Sequence, residues 1–245
     1  MKSWKRQGII WVAFLLALAL GIGLAWAQDP GNQVLLEFRQ GMELARQGQF
    51  AEAKESFTRA LRLDPFHRPS FNALRVVEDV LKKRIQPETG RHLFQGDRYK
   101  RELEYEAAIG EYTRAIARDP NYAEAYNSRG LAYKETRQYD LAIADLTRAM
   151  ELDPQFAVAY YHRALTYEVK GDLHRAIADY SKAVELDPKY YMAWANKGDA
   201  CEKVGRKKEA IEAYRNFLKY APPRDKREIE LVRKRLRVLE GTPGQ

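Results

Sequence analysis

Prolines stand at 120, 154, 188 and 222 of this chain, 34 residues apart each time, and the approach to each is alike. Thr58-Arg59-Ala60-Leu61-Arg62-Leu63-Asp64-Pro65 is matched by Thr113 to Pro120, Thr147 to Pro154 and Ser181 to Pro188, with a looser copy ending at Ala221-Pro222. A period of this length holds one supersecondary unit, which cannot bury its apolar face alone and is stabilised by stacking on its neighbours. The recurrence therefore restricts the chain to a stacked array and excludes a single closed core.

With the proline of each repeat set at position 32, the repeats begin at Val34, Thr89, Ala123, Ala157 and Tyr191. Position 8 is then small in all five: Gly41, Gly96, Gly130, Ala164 and Gly198. Position 20 is alanine throughout (Ala53, Ala108, Ala142, Ala176, Ala210), and position 24 is large (Phe57, Tyr112, Leu146, Tyr180, Tyr214). Position 11 reads Leu44, Tyr99, Tyr133, Tyr167 and Cys201. Small residues let two helix backbones approach closely and large ones fill the space beside them. The pattern predicts that positions 8 and 20 face each other within a helical hairpin while the bulky residues pack between neighbours. Gly48, Gly171 and Gly205 mark turns between the two helices, and each Asp-Pro step ends the second helix, because proline disfavours helical geometry in the residue before it.

These positions resemble the tetratricopeptide repeat (TPR) family across about 170 residues. The resemblance implies an all-α fold, a right-handed TPR superhelix or α-solenoid of five helical hairpins, with helix A of each repeat lining a concave face. The repeats are placed at 34–67, 89–122, 123–156, 157–190 and 191–224. From Pro65 to Pro120 the spacing is 55 residues, so 21 are inserted, and Phe71, Leu74, Val77, Leu81 and Ile85 put one apolar face on a single helix within 68–88. After Pro223, Ile229, Val232, Leu236 and Leu239 form a stripe on a capping helix over 225–240, the polar-backed end that a solenoid needs.

The first 27 residues differ from the rest. Lys2, Lys5 and Arg6 precede an uncharged run from Gly8 to Ala27, which ends in the small-x-small pattern Ala25-Trp26-Ala27. This is the layout of a secretory signal peptide cleaved after Ala27; an uncleaved membrane anchor is the alternative. Either places the remainder outside the cytoplasm, periplasmic, secreted or held at the inner membrane, because the positive end stays inside. The one cysteine, Cys201, excludes an intrachain disulfide framework and a cysteine-rich zinc site.

Chemistry-bearing motifs are missing. The sequence has no phosphate-binding glycine loop, zinc-protease helix, nucleophile elbow or calcium loop, and no two of His67, His92, His162 and His174 share metal-ligand spacing on one helix. Neither enzymatic activity nor a cofactor is expected. Lys and Arg outnumber Asp and Glu by 42 to 34, but the basic clusters at 82–84, 206–208 and 233–237 fall on helix ends or solvated faces, so nucleic acid is not the expected partner. What remains is the groove that the resemblance implies. Its helix A positions select Asn127, Leu131 and Lys134 in the third repeat, Tyr161, His162, Leu165 and Glu168 in the fourth, and Asn196, Asp199 and Glu202 in the fifth. Asparagine amides pair with peptide groups through both donor and acceptor, and Tyr161 and Leu165 suit apolar side chains. The expected function is a non-enzymatic scaffold holding a partner protein or peptide. An envelope assembly protein acting by self-association is the alternative, and the oligomeric state is left open.

Overall fold

A computed structural model describes residues 29–241, and the leader or anchor expected over residues 1–27 lies outside them. Among the described residues there are twelve α-helices and no strand. No described helix is long and apolar enough to cross a membrane. The chain divides into two compact units, one up to Arg91 and one from His92.

The N-terminal unit contains α1 (Pro30–Arg46), α2 (Phe50–Leu63), α3 (Arg68–Leu81) and the start of α4 (Pro87–Arg101). Asp29 starts α1, its carboxylate accepting from the backbone N–H groups of Gly31 and Asn32 at 2.8 and 3.3 Å. Gly48, at φ 84°, turns the chain back, and α2 buries Ala53, Phe57 and Ala60 against α1. At Asp64-Pro65 the aspartate accepts from Phe66 N–H at 3.0 Å, so this acid is spent on a turn. The inserted helix α3 packs on α2 and α1. Its buried face differs from the predicted stripe. Ala73, Val76, Val77 and Val80 are inside, whereas Phe71 and Leu81 are exposed and Ile85 is buried beyond the end of the helix. At Val80 the approach is close: a Cβ on Gly90 would lie 2.7 Å from Val80 and 3.0 Å from Phe50.

The C-terminal unit continues with α5 (Tyr105–Arg118), α6 (Ala123–Glu135), α7 (Tyr139–Leu152), α8 (Ala157–Val169), α9 (Leu173–Leu186), α10 (Tyr191–Lys203), α11 (Lys207–Tyr220) and α12 (Lys226–Glu240). From α5 onward successive helices pack on one another, and α6 also touches α8, which makes this unit a solenoid of hairpins. One apolar core runs from Ala149 through Tyr180 and Tyr214 to Val232.

The predicted hairpin contact is met at Gly130, where a Cβ would lie 3.1 Å from the Ala142 carbonyl oxygen. Position 8 also faces position 24 of its own hairpin, so the bulky residue there does not pack only between neighbours. A Cβ on Gly96 would stand 2.5 Å from the Tyr112 ring, one on Gly198 2.4 Å from Tyr214, and one on Gly130 2.9 Å from Leu146. The ring lies across the glycine, and the alanines at position 20 close the space beside it, each fully buried. All five turns between paired helices use a left-handed residue at position 15. Three are glycine, and Leu103 and Arg137 adopt φ 63° and 61° in the other two.

Polar links repeat with the same period. Arg129 grips Asp145 with two bonds of 2.7 and 2.9 Å and reaches back to Thr113 of the preceding repeat at 3.1 Å. Arg163 does the same with Asp179 at 2.7 and 2.8 Å and Thr147 at 2.9 Å. Tyr126 and Trp194 donate to the carbonyls of Pro120 and Pro188 at 3.0 and 2.9 Å, sealing the junction between repeats. Helix α12 places Val232 on α11, and Arg215 pairs with Glu240 at 2.6 Å.

Candidate functional site

The helix A face of the C-terminal unit is carried by α4 from His92 onward, α6, α8 and α10. Positions 5, 6, 9 and 12 of a helix share one side, so the residues selected from the sequence fall in columns that cross from helix to helix. Two equivalent hydrogen bonds, each spanning 35 residues, join consecutive members. His162 Nδ1 lies 2.8 Å from Asn127 Oδ1, and Asn196 Nδ2 donates to Tyr161 Oη at 3.2 Å. Asn127 Nδ2 in turn donates to Glu124 Oε1 at 3.4 Å. An amide oxygen only accepts, so His162 carries its proton on Nδ1 and leaves Nε2 as an acceptor. Burial pushes the His162 pKa down to about 3, and the charges of Lys100 and Lys134 push the same way. The ring is neutral at any ordinary pH.

Tyr161 lies against Tyr190 and Tyr180, with ring centroids 4.7 and 5.9 Å away. Leu165 packs against the core beside it, and Leu131, at the same helical position one repeat earlier, is half-buried. The fully buried position 24 tyrosines reach this face through their hydroxyls. Tyr112 donates to Asp97 at 2.7 Å, Tyr180 to Glu168 at 2.8 Å, and Tyr214 lies 2.6 Å from Asp199 and 2.8 Å from Glu202. Burial first, then these carboxylates, hold the three phenols well above their usual pKa, so they act as fixed donors. Where position 24 is Leu146, positions 9 and 12 of that repeat are Leu131 and Lys134 and carry no carboxylate. Lys203 binds Glu168 at 2.6 Å, and Arg235 of α12 contacts Asp199 and lies 3.1 Å from the Tyr214 hydroxyl.

The ten residues selected from the sequence stand on this side of α6, α8 and α10. Asn127 differs from expectation in one respect. It is 3% exposed and uses both ends of its amide within the fold, so it is a buried link rather than an open grip for a peptide. Sequence reasoning missed Lys100 and Asp97, which stand 34 residues before Lys134 and Leu131 and would have followed from extending the columns to the second repeat. It also missed Arg235, whose signal is that α12 keeps the register of a sixth helix A beginning at Asp225. Among the described residues no cluster of His, Cys, Asp or Glu could hold a metal ion, and the Cys201 thiol is fully buried and pushed up by burial. The arrangement can bind and orient through hydrogen bonds, apolar contact and charge.

The fold and this face define the chain as a solenoid of helical hairpins in which one helix of each pair builds a shared surface. Family models described as tetratricopeptide repeat match residues 35–67, 123–156, 157–190 and 193–224, and one described as TPR repeat matches 96–136, together more than half of the chain. The chain belongs to the tetratricopeptide repeat family. Among solved structures, the crystal structure of MamA is similar over 74% of this chain and 93% of its own, at 25% identity and a TM-score of 0.52. PilF of Pseudomonas aeruginosa is similar over 88% of this chain and 87% of its own, at 18% identity and a TM-score of 0.58. No curated protein matches the chain in sequence.

Proposed function

We propose that this protein is a non-catalytic interaction scaffold, outside the cytoplasm, that holds a segment of a partner protein on the helix A face of its C-terminal unit. The observation that carries this reading is the pair of equivalent links, His162 to Asn127 and Asn196 to Tyr161, which lock successive helices into one preformed surface. A preformed surface binds without the entropic cost of ordering itself. The layout of residues 1–27 supports the location.

Photo-crosslinking amino acids at Leu131 and Leu165, compared with Ala144 and Ala178 on the exposed sides of α7 and α9, test the reading in the cells that make the protein. Crosslinks to one and the same protein from the first pair and not the second are expected. Crosslinks from Ala144 and Ala178 alone would overturn it.

A second reading, assembly by self-association, is favoured by the exposed Leu35, Leu36, Leu63, Phe66, Phe71 and Leu81 of the N-terminal unit. Light scattering on the full-length chain in mild detergent tests it; a strict monomer across a wide concentration range counts against it.

A further inference from the structure

Position 12 changes sign halfway along the helix A face. It is Lys100 and Lys134 in the second and third repeats, and Glu168 and Glu202 in the fourth and fifth. Position 9, beside it, reads Asp97, Leu131, Leu165 and Asp199, so the middle of the face is apolar. The two halves are built differently. The ion pairs of the lysines among the described residues lie within their own helices, Lys100 with Asp97 at 2.9 Å and Lys134 with Glu135 at 2.8 Å, and Lys100 also lies 6.0 Å from the Tyr112 ring of α5. Each of these pairs is partly exposed, with Lys100 27% and Lys134 19% exposed at the side chain.

In the acidic half the cations come from other helices. Lys203 of α10 meets Glu168 of α8, and Arg235 of α12 meets Asp199 and lies 3.9 Å from Glu202. A recess of about 370 Å³ lined by Asp199, Glu202, Lys203 and Arg235 opens here. Tyr180 donates to Glu168, and the single Tyr214 proton, 2.6 Å from Asp199 and 2.8 Å from Glu202, holds one of those two at a time. The fold thus already seats basic side chains among carboxylates at one end and leaves two locally paired ammonium groups at the other.

We infer that the face binds an extended polypeptide segment in one fixed polarity. Acidic side chains lie over Lys100 and Lys134, apolar ones over Leu131 and Leu165, and a basic one beside Glu168, Asp199 and Glu202. The inference rests on the reading that this face holds a partner segment, and it adds that segment's chemistry. Charge arranged in this way specifies orientation and rejects the reversed sequence, because the reversal sets like charges together at both ends. A nucleic-acid strand, anionic throughout, would meet like charge over half its length.

The test probes an array of random peptides about twelve residues long, roughly 40 Å when extended, with the full-length chain in mild detergent at low salt. Bound peptides are expected to share an acidic block, an apolar middle and a basic block in one order from N- to C-terminus. Reversing the blocks should weaken binding at least about tenfold, and 1 M salt should erase the difference. The double variant Lys100→Glu/Lys134→Glu should lose the acidic selection and keep the basic one. Lys100→Ala/Lys134→Ala, which adds no new charge, should weaken the acidic selection if the reversal disturbs folding. Bound peptides without charge order would overturn this inference alone. Failure to bind any peptide would overturn the scaffold reading beneath it, and preference for a single-stranded oligonucleotide over every peptide would overturn both.

Discussion

The hydroxyl of a buried tyrosine bears on what can stand on the helix A face of this protein. At position 24, Tyr112, Tyr180 and Tyr214 each extend past a small residue to a carboxylate of their own hairpin, whereas Leu146 does not, and its repeat has Leu131 and Lys134 there instead. The same reach makes His162 a useful reporter. Its Nδ1 proton is held by Asn127, Glu124 backs Asn127, and the charges of Lys100 and Lys134 disfavour a second proton. With a pKa of about 3 folded against about 6.5 unfolded, this ring opposes protonation in the native state. As pH falls from 6.5 toward 3 the unfolded chain takes the proton first, so stability declines across that window. His162→Gln keeps a polar group that does not titrate. Urea midpoints measured from pH 7 to pH 4 should fall less steeply for the variant than for the parent, and parallel curves would refute the assignment.

The hairpins are not interchangeable in what ties them together. Arg163 spans three helices, joining Asp179 of its own hairpin to Thr147 of the one before. Asp179 is buried, so Arg163→Ala leaves an uncompensated charge and should cost about 3 kcal/mol in denaturant unfolding. Arg163→Lys keeps the charge but not the fork and should cost about 1 kcal/mol. In the fifth repeat the corresponding residues are Lys197 and Ala213, and this arginine link is absent. That repeat is held instead from the far side by α12, through Arg215 with Glu240 and Arg235 with Asp199. Helix existence, hairpin pairing and the place of α12 were all legible in the sequence, because period, small residues and Asp-Pro steps are local signals. The buried face of α3 was not. Phe71 and Leu81 read as core by hydrophobicity, yet the buried side carries Ala73, Val76, Val77 and Val80, and the glycine that Val80 meets, Gly90, stands on another helix and is not encoded in the stripe itself.

The C-terminal unit behaves as a stack whose members stabilise their neighbours, so its far end governs more than its own residues. Removing α12 by ending the chain at Arg224 would expose the face of α11 that Val232 covers and free the carboxylates that Arg235 meets. The truncated chain should melt at lower temperature and enter oligomers on size exclusion, and an unchanged melting temperature would show that α12 is dispensable. The surface columns were legible in outline for the same reason as the fold: a 34-residue register carries a residue from one helix to its counterpart on the next. What the sequence hid was the third dimension of each contact, such as Asn127 turning inward to His162 instead of outward.

The links across the array recur at constant offsets. Spans of 35 residues join His162 to Asn127, Asn196 to Tyr161 and Lys203 to Glu168, and spans of 16 place both arginine forks. Such a molecule can be lengthened or shortened by splicing whole modules, as links are added to a chain. A duplicate of 157–190 inserted after Tyr190 would find its hooks and eyes waiting for it, while an insertion of any other length inside a helix would miss them.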